Sequence, residues 1–301
     1  MMDKIHEEGH AKINLCLDVI RKNEDGYHEV CMLMQELGLC DEIILSKIGH
    51  GIELEVKDER GVVSDKLQEV PCDERNIAYK AAKLLMEEYD IKEGVSIELI
   101  KRIPAAAGLA GGSTDAAAVL RGMNRLFELN IDGEELCRLG KRLGADIPFC
   151  IIGGTCLAEG IGEKLSPLDS VPALDILLVK PGRGVSTKAV YEGLDIANRK
   201  KEDHPDTVLC YEAIKNGDVD KLIQNMGNIL ELVTVEYVTE IKDIEKKMLE
   251  CGAVKAMMSG SGPTVFGIFE DKASMHRAFE EFNKSAWNDI VSDVIETETR
   301  K

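Results

Sequence analysis

Apolar and polar positions alternate along residues 12–19, KINLCLDV. Ile13, Leu15, Leu17 and Val19 fall on one face, with Lys12, Asn14, Cys16 and Asp18 on the other. This is the pattern of a half-buried strand. NEDG at 23–26 follows, with Asp25–Gly26 suited to a hairpin turn. YHEVCMLMQEL then resumes as a strand, and further strands are expected at 42–46, 52–56 and 95–100. The period changes over 76–90, where Ala78, Ala81, Ala82, Leu84 and Leu85 make the apolar stripe of a helix. A glycine cluster leads into a helix reaching about 127, and another over 133–143 carries Leu136, Leu139 and Leu143.

The glycine-rich stretch GADIPFCIIGGTCLAEGIGEKLSPL reads as turn, short helix and strand. Beyond it the pattern gives a strand at 174–180, helices at 187–196, 206–216, 219–231 and 239–251, and a strand at 253–258. A turn, SGSGP, precedes a strand at 264–269, a helix at 272–283 and a final strand at 289–295. Strands and helices mixed in this order predict an α+β protein. With no repeat and no linker composition, the expected division lies near 160, giving domains 1–160 and 161–301.

Composition narrows the partners. The 301 residues are 44% hydrophobic, enough for one large or two ordinary cores. The formal net charge of −18 disfavours nucleic acid and repels anionic membranes. Phosphates must then be held by a few local cations and backbone N–H groups. Nine cysteines, an odd number without a CxxC pair or zinc-type spacing, read as small buried apolar residues in a reducing compartment. The start MMDKIHEEGHAKINL lacks the basic and apolar runs of a signal peptide. A cytoplasmic protein that binds neither membrane nor nucleic acid is expected.

The most suggestive stretch is PAAAGLAGGSTDAAAVL, residues 104–120. It is not a Walker A loop, because Ser113 follows Gly112 where a lysine is required. Gly108, Gly111 and Gly112 also lack the GxGxxG spacing. Two readings stand on equal footing. It is a tight turn that starts a helix capped by Ser113 or Thr114, or a cradle whose glycines and helix N–H groups hold a phosphate. Taken singly, AKINL, DGYHE, GADIPF and MSGSGPTVF each favour a bland role. Lys12 reads as a solvated lysine, Tyr27 and His28 as packing residues, and Asp146 as a cap for a helix with Pro148 in its first turn.

In order, AKINL, DGYHE, NIAYKAA, PxxxGLxGGST, LGADIPF, AEGIGE and MSGSGPTVF resemble the GHMP kinase superfamily from about residue 10 to 270. The resemblance implies a two-domain α+β GHMP kinase fold, with a ribosomal-protein-like N-terminal half and a ferredoxin-like C-terminal half. It implies ATP, delivered with Mg²⁺, along Pro104, Ala105, Ala106, Ala107, Gly108, Leu109, Ala110, Gly111, Gly112, Ser113 and Thr114, with Asn76 and Lys101 lining the nucleotide site. Ser113 is the suggested Mg²⁺ ligand.

The pairing of KINLxLxV with DGYHE and of LGADxPF with AEGxGE points to a particular branch. Its small-molecule acceptor is a cytidine-diphosphate derivative of methylerythritol, an intermediate of non-mevalonate isoprenoid synthesis. Asp146 is then implied as general base and Lys12 as its electrostatic partner. Asn14, Tyr27, His28 and Tyr191 are implied to bind the substrate, and Ser259, Gly260, Ser261 and Gly262 to brace the glycine loop. The alternatives are another GHMP small-molecule kinase, such as mevalonate kinase, or a non-catalytic sensor on the same scaffold.

Two departures stand out. His10 replaces the usual Pro or Tyr. Ala105, Ala106, Ala107 and Ala110 replace glycines of other members, which asks for ordinary backbone angles there.

Overall fold

A computed structural model describes residues 3–59, 70–169 and 171–300. The chain opens with two long antiparallel strands, β1 (Lys4–Lys22) and β2 (His28–Ile48). They pair from Lys4–Ser46 to Lys22–His28. β3 (Ile52–Asp58), α1 (Ile77–Glu88), β4 (Gly94–Lys101) and α2 (Gly111–Leu126) follow. Next come α3 (Gly133–Lys141), α4 (Ile147–Ile152), β5 (Thr155–Gly160) and β6 (Lys164–Pro167). The six strands form one sheet in the order β3-β4-β2-β5-β6, with β1 also on β2.

The second half adds β7 (Asp175–Pro181), α5 (Thr187–Gly193), α6 (Thr207–Lys215), α7 (Val219–Asn225), α8 (Glu231–Tyr237) and α9 (Glu240–Glu250). It ends with β8 (Lys255–Met258), β9 (Val265–Phe269), α10 (Lys272–Phe282) and β10 (Val291–Glu298). Its four strands form a separate antiparallel sheet, β10-β7-β9-β8. One buried cluster nevertheless runs from Leu45 and Leu120 to Leu177, Leu230 and Ile241, so the two sheets share a core.

The α+β expectation holds, and several local expectations are corrected. The first strand is not half-buried: residues 11–19 are buried on both faces. A register shift between Asn14 and Cys16 breaks the simple alternation. Ile13 and Leu15 therefore enter one core cluster while Leu17 and Val19 enter the other. The separate strands expected at 27–37 and 42–46 are one strand, because β1 pairs with residues 28–36 and 40–46 while β5 and β4 take successive lengths of its other edge.

The helix expected over 219–231 stops at Asn225. The chain there turns aside so that Gly227 O accepts from Leu17 N at 2.9 Å and Ile229 N donates to Leu17 O at 3.1 Å. The helix expected over 187–196 likewise ends at Gly193, before a short 3₁₀ turn at Ile196–Asn198. Of the nine cysteines only Cys16, Cys150, Cys156 and Cys210 are buried, and Cys72 is exposed. Among the described residues no helix is long and apolar enough to cross a membrane.

Candidate active site

A cavity of about 1180 Å³ lies where the glycine loop, β1, the β1–β2 turn, α4, α5 and the β8–β9 turn meet. Its upper wall is the loop 104–110 and the start of α2. Neither Ser113 nor Thr114 caps this helix: the N-cap is Ala110, in the left-handed region at φ 60°, and no side chain closes the helix end. The expectation of ordinary angles holds at Ala105 and Ala107 but fails at the other two alanines. Ala106 has φ 48° and Ala110 φ 60°, each costing about 1–3 kcal/mol that a glycine would not pay. The first N–H groups of α2 are left without side-chain partners and point toward the cavity end of the helix, the usual condition for anion binding. Gly111, Gly112 and Ser113 line the cavity, whereas Leu109 and Thr114 are buried away from it.

The loop is held from the opposite half. Gly108, at φ 75°, comes so close to the β8–β9 turn that a Cβ would sit 2.3 Å from Ser259 O. Ser259 Oγ donates to Gly108 O at 3.1 Å. Gly260 and Ser261 reach the cavity wall, and Ser261 shares a 2.8 Å hydrogen bond with Thr187 at the start of α5. Asn228 completes the brace, donating to Met258 O at 2.9 Å and Gly260 O at 2.8 Å. Asn228 and Thr187 were not singled out in the sequence, since an isolated Asn or Thr beside a helix carries no distinguishing pattern.

Beneath the loop, Lys101 is 3% exposed. It is ion-paired with Asp41 and, at 2.7 Å, with Asp115. Asp41 Oδ1 also accepts from the backbone of Arg102 at 2.5 Å and Ile103 at 2.8 Å, fixing the strand just before the loop. Asn76 accepts from Ala78 N at 2.9 Å as the N-cap of α1 and donates to Pro71 O at 2.7 Å. Both side chains still face the cavity.

The floor carries Lys12 and Asn14, side by side on β1, with Lys12 Nζ donating to Asn14 Oδ1 at 2.8 Å. Asn14 is fully buried and Lys12 nearly so. Asp146 stands at the N-cap position of α4, makes no capping bond and lines the cavity. Lys12 pairs with Asn14 rather than with Asp146, and both Lys12 and Asp146 line the cavity. The Cys150 thiol feels both, pushed up by burial and by Asp146 and drawn down by Lys12. Burial, then Asp146, keeps the Tyr191 phenol above its ordinary value and hence protonated. Tyr191 packs against His28 with ring centroids 5.3 Å apart, while Tyr27 at the turn is exposed. Burial, then Lys22, holds His28 below the usual imidazole value.

The model of the GHMP kinases N terminal domain matches residues 76–154, and that of the GHMP kinases C terminal domain residues 210–289. A 4-diphosphocytidyl-2-C-methyl-D-erythritol kinase of Acetivibrio thermocellus is 50% identical over 294 residues, 98% of this chain and all of that one. The chain belongs to the GHMP kinases, in the 4-diphosphocytidyl-2-C-methyl-D-erythritol kinase family. A relative of the same name from Lachnospira eligens is 50% identical over 91% of this chain and 92% of its own.

A crystal structure of 4-(cytidine 5'-diphospho)-2C-methyl-D-erythritol kinase superposes with a TM-score of 0.79 at 31% identity, covering 99% of this chain and 100% of that one. The L. major mevalonate kinase shares the fold, with a TM-score of 0.76 at 17% identity over 100% of this chain and 98% of that one. This family member is an ATP-dependent kinase of a small molecule.

Proposed function

We propose that the chain transfers the γ-phosphoryl group of ATP to the 2-hydroxyl of 4-diphosphocytidyl-2-C-methyl-D-erythritol, in the supply of isoprenoid precursors. The observation that carries this reading is the continuity of the cavity. The uncapped start of α2, the Lys12–Asn14 pair, Asp146 and the His28–Tyr191 pair all line one hollow.

On this reading the N–H groups of Gly111, Gly112 and Ser113 receive the phosphates, and Asn76 and the wall near Lys101 border the nucleotide. Lys101 contributes by fixing the loop rather than as a mobile cation, since two carboxylates already engage it. Ser113 is the oxygen donor that fits Mg²⁺, an ion that keeps most of its shell as water and substrate phosphate. That ion would neutralise charge on the phosphates. Asp146 accepts the acceptor hydroxyl proton, and Lys12 stabilises charge on the phosphoryl group in transfer. Asn14 holds Lys12 in register and borders the acceptor. His28, Tyr27 and Tyr191 bind the cytosine, which needs stacking surfaces and neutral hydrogen-bonding groups rather than a basic patch.

A coupled assay of ADP release tests the substrate. Turnover with the cytidyl compound should exceed that with mevalonate, homoserine or galactose, and CMP should compete with it. Better turnover with any of the other three overturns the assignment. Asp146→Asn should lower kcat by about 10²–10⁴-fold while both ligands still bind, as read by calorimetry. Near-normal turnover removes Asp146 from the role of base.

A further inference from the structure

A second hollow, of about 610 Å³, opens beside β1, β2 and the end of α4 and is bordered by Arg300. Glu8 and His10 of β1 line it, and they and Cys40 of β2 each place one donor atom within 4.8 Å of the other two. Strand pairing brings them together. His10 stands directly across from Cys40, and Glu8, two residues before His10, shares its face. The one intervening residue, Gly9, faces Thr114 instead.

The hydrogen bonds of His10 leave a conflict that a cation resolves. Its Nδ1 lies 3.0 Å from Leu37 O. A carbonyl only accepts, so Nδ1 carries the proton and a neutral ring presents a lone pair at Nε2. That Nε2 lies 3.0 Å from Glu8 Oε2, another acceptor. Either a second ring proton or a metal ion must satisfy both. Cys40 tips the choice: its sulfur gains nothing from an imidazolium–carboxylate pair, but it completes a nitrogen, sulfur and oxygen set suited to a borderline divalent ion. A ring Nδ1–H held by a carbonyl is also the outer contact that orients metal-binding imidazoles. Arg300 Nη1 stands 3.6 Å from the same Glu8 oxygen, on a side chain exposed enough to move aside.

We propose that Glu8, His10 and Cys40 bind one zinc-class divalent cation, with water as fourth ligand, stapling β1 to β2 outside the catalytic cavity.

Cobalt(II) titration of the full chain, with excess Mg²⁺ to occupy oxygen-only sites, tests this. One equivalent should produce the near-ultraviolet thiolate-to-cobalt band and the visible bands of four-coordinate cobalt, and Zn²⁺ should bleach both. Cys40→Ser should abolish the thiolate band. His10→Gln and Glu8→Gln should each weaken cobalt binding by about tenfold or more. Glu8 is exposed, so Glu8→Gln keeps the test open even where Cys40→Ser fails to fold. Turnover with Mg²⁺ and ATP should stay near wild type in all three variants, as none lines the catalytic cavity. Absence of a thiolate band overturns the site. So does a band that survives Cys40→Ser, which would belong to another of the nine cysteines, or an affinity indifferent to His10→Gln.

Discussion

Lys101 offers one positive charge to two buried carboxylates, so the group as a whole has one negative charge too many. Burial, only partly offset by Lys101, raises the Asp115 carboxyl well above its ordinary value. Lys101 is itself held above the usual lysine value, because Asp115 and Asp41 outweigh the burial that opposes its charge. A proton kept on Asp115, beside Asp41 and Lys101, balances the group. A carboxyl raised on folding favours the folded state below its unfolded value and loses that contribution as pH rises through the folded one. Asp115→Asn should therefore match or exceed wild-type stability at neutral pH, with an advantage that grows upward from about pH 4. Lys101→Met, in contrast, leaves Asp41 charged and unpaired and should cost about 3–5 kcal/mol. Urea unfolding of both variants across pH checks the pair.

His28 shifts in the opposite sense. Its value is depressed, so the ring is neutral at pH 7 and gains its proton only below the ordinary imidazole range. The KM for the cytidyl substrate should rise as acidification protonates the ring, and His28→Gln should flatten that rise. Initial rates across pH at saturating ATP measure both.

Among the elements, the glycine loop and the β8–β9 turn behave as one interlocked piece. Gly108→Ala would meet Ser259 O at 2.3 Å and place a side chain at φ 75°. The angle costs about 1–3 kcal/mol and the clash about as much again. The variant should lose stability in thermal melts and bind nucleotide more weakly, while an exposed control such as Gly133→Ala, with open space around it, should not.

Most helices here were legible from their period, because an apolar stripe such as Ala78, Ala81, Ala82 and Leu85 of α1 needs only a sheet to lie on. The elements that were misread depend on distant pairing. Nothing local in residues 37–42 says that β2 continues, since β1 supplies the partners of Cys40, Asp41 and Glu42 and Thr299 bridges Leu37. The helix stops at Asn225 just before Gly227, a local stop signal, and Leu17 takes the backbone groups of Gly227 and Ile229 that follow. The site shows the same division. Motif order pointed to Lys12, Asp146, His28 and Tyr191, and they line one cavity. The angles of Ala106 and Ala110 were hidden because the surrounding packing, not the residue type, imposes them. Glu8, His10 and Cys40 escaped any spacing rule, being joined across a strand ladder rather than along the chain.

At the scale of the molecule, a net charge of −18 contrasts with the wall of the cavity, where Lys12, Arg75, Lys101 and Lys188 face Asp25, Asp115, Asp146 and Glu192. Distant repulsion acts on an approaching triphosphate before these near charges do. Raising ionic strength from about 0.01 M to 0.15 M shortens the screening length from about 30 Å to 8 Å. The association rate of a fluorescent ATP analogue should accordingly increase with salt, as stopped-flow mixing would show. A decrease would mean that the local cations dominate at long range.

The continuity of the cavity, from the start of α2 past Lys12 and Asp146 to His28 and Tyr191, bears on inhibitor design. A compound that tethers a nucleotide mimic to a cytosine mimic would meet no partition between the two ends. Once one end docks, the other is already at high effective concentration. Such a two-headed ligand would gain affinity from its linker alone, and selectivity from demanding both walls at once.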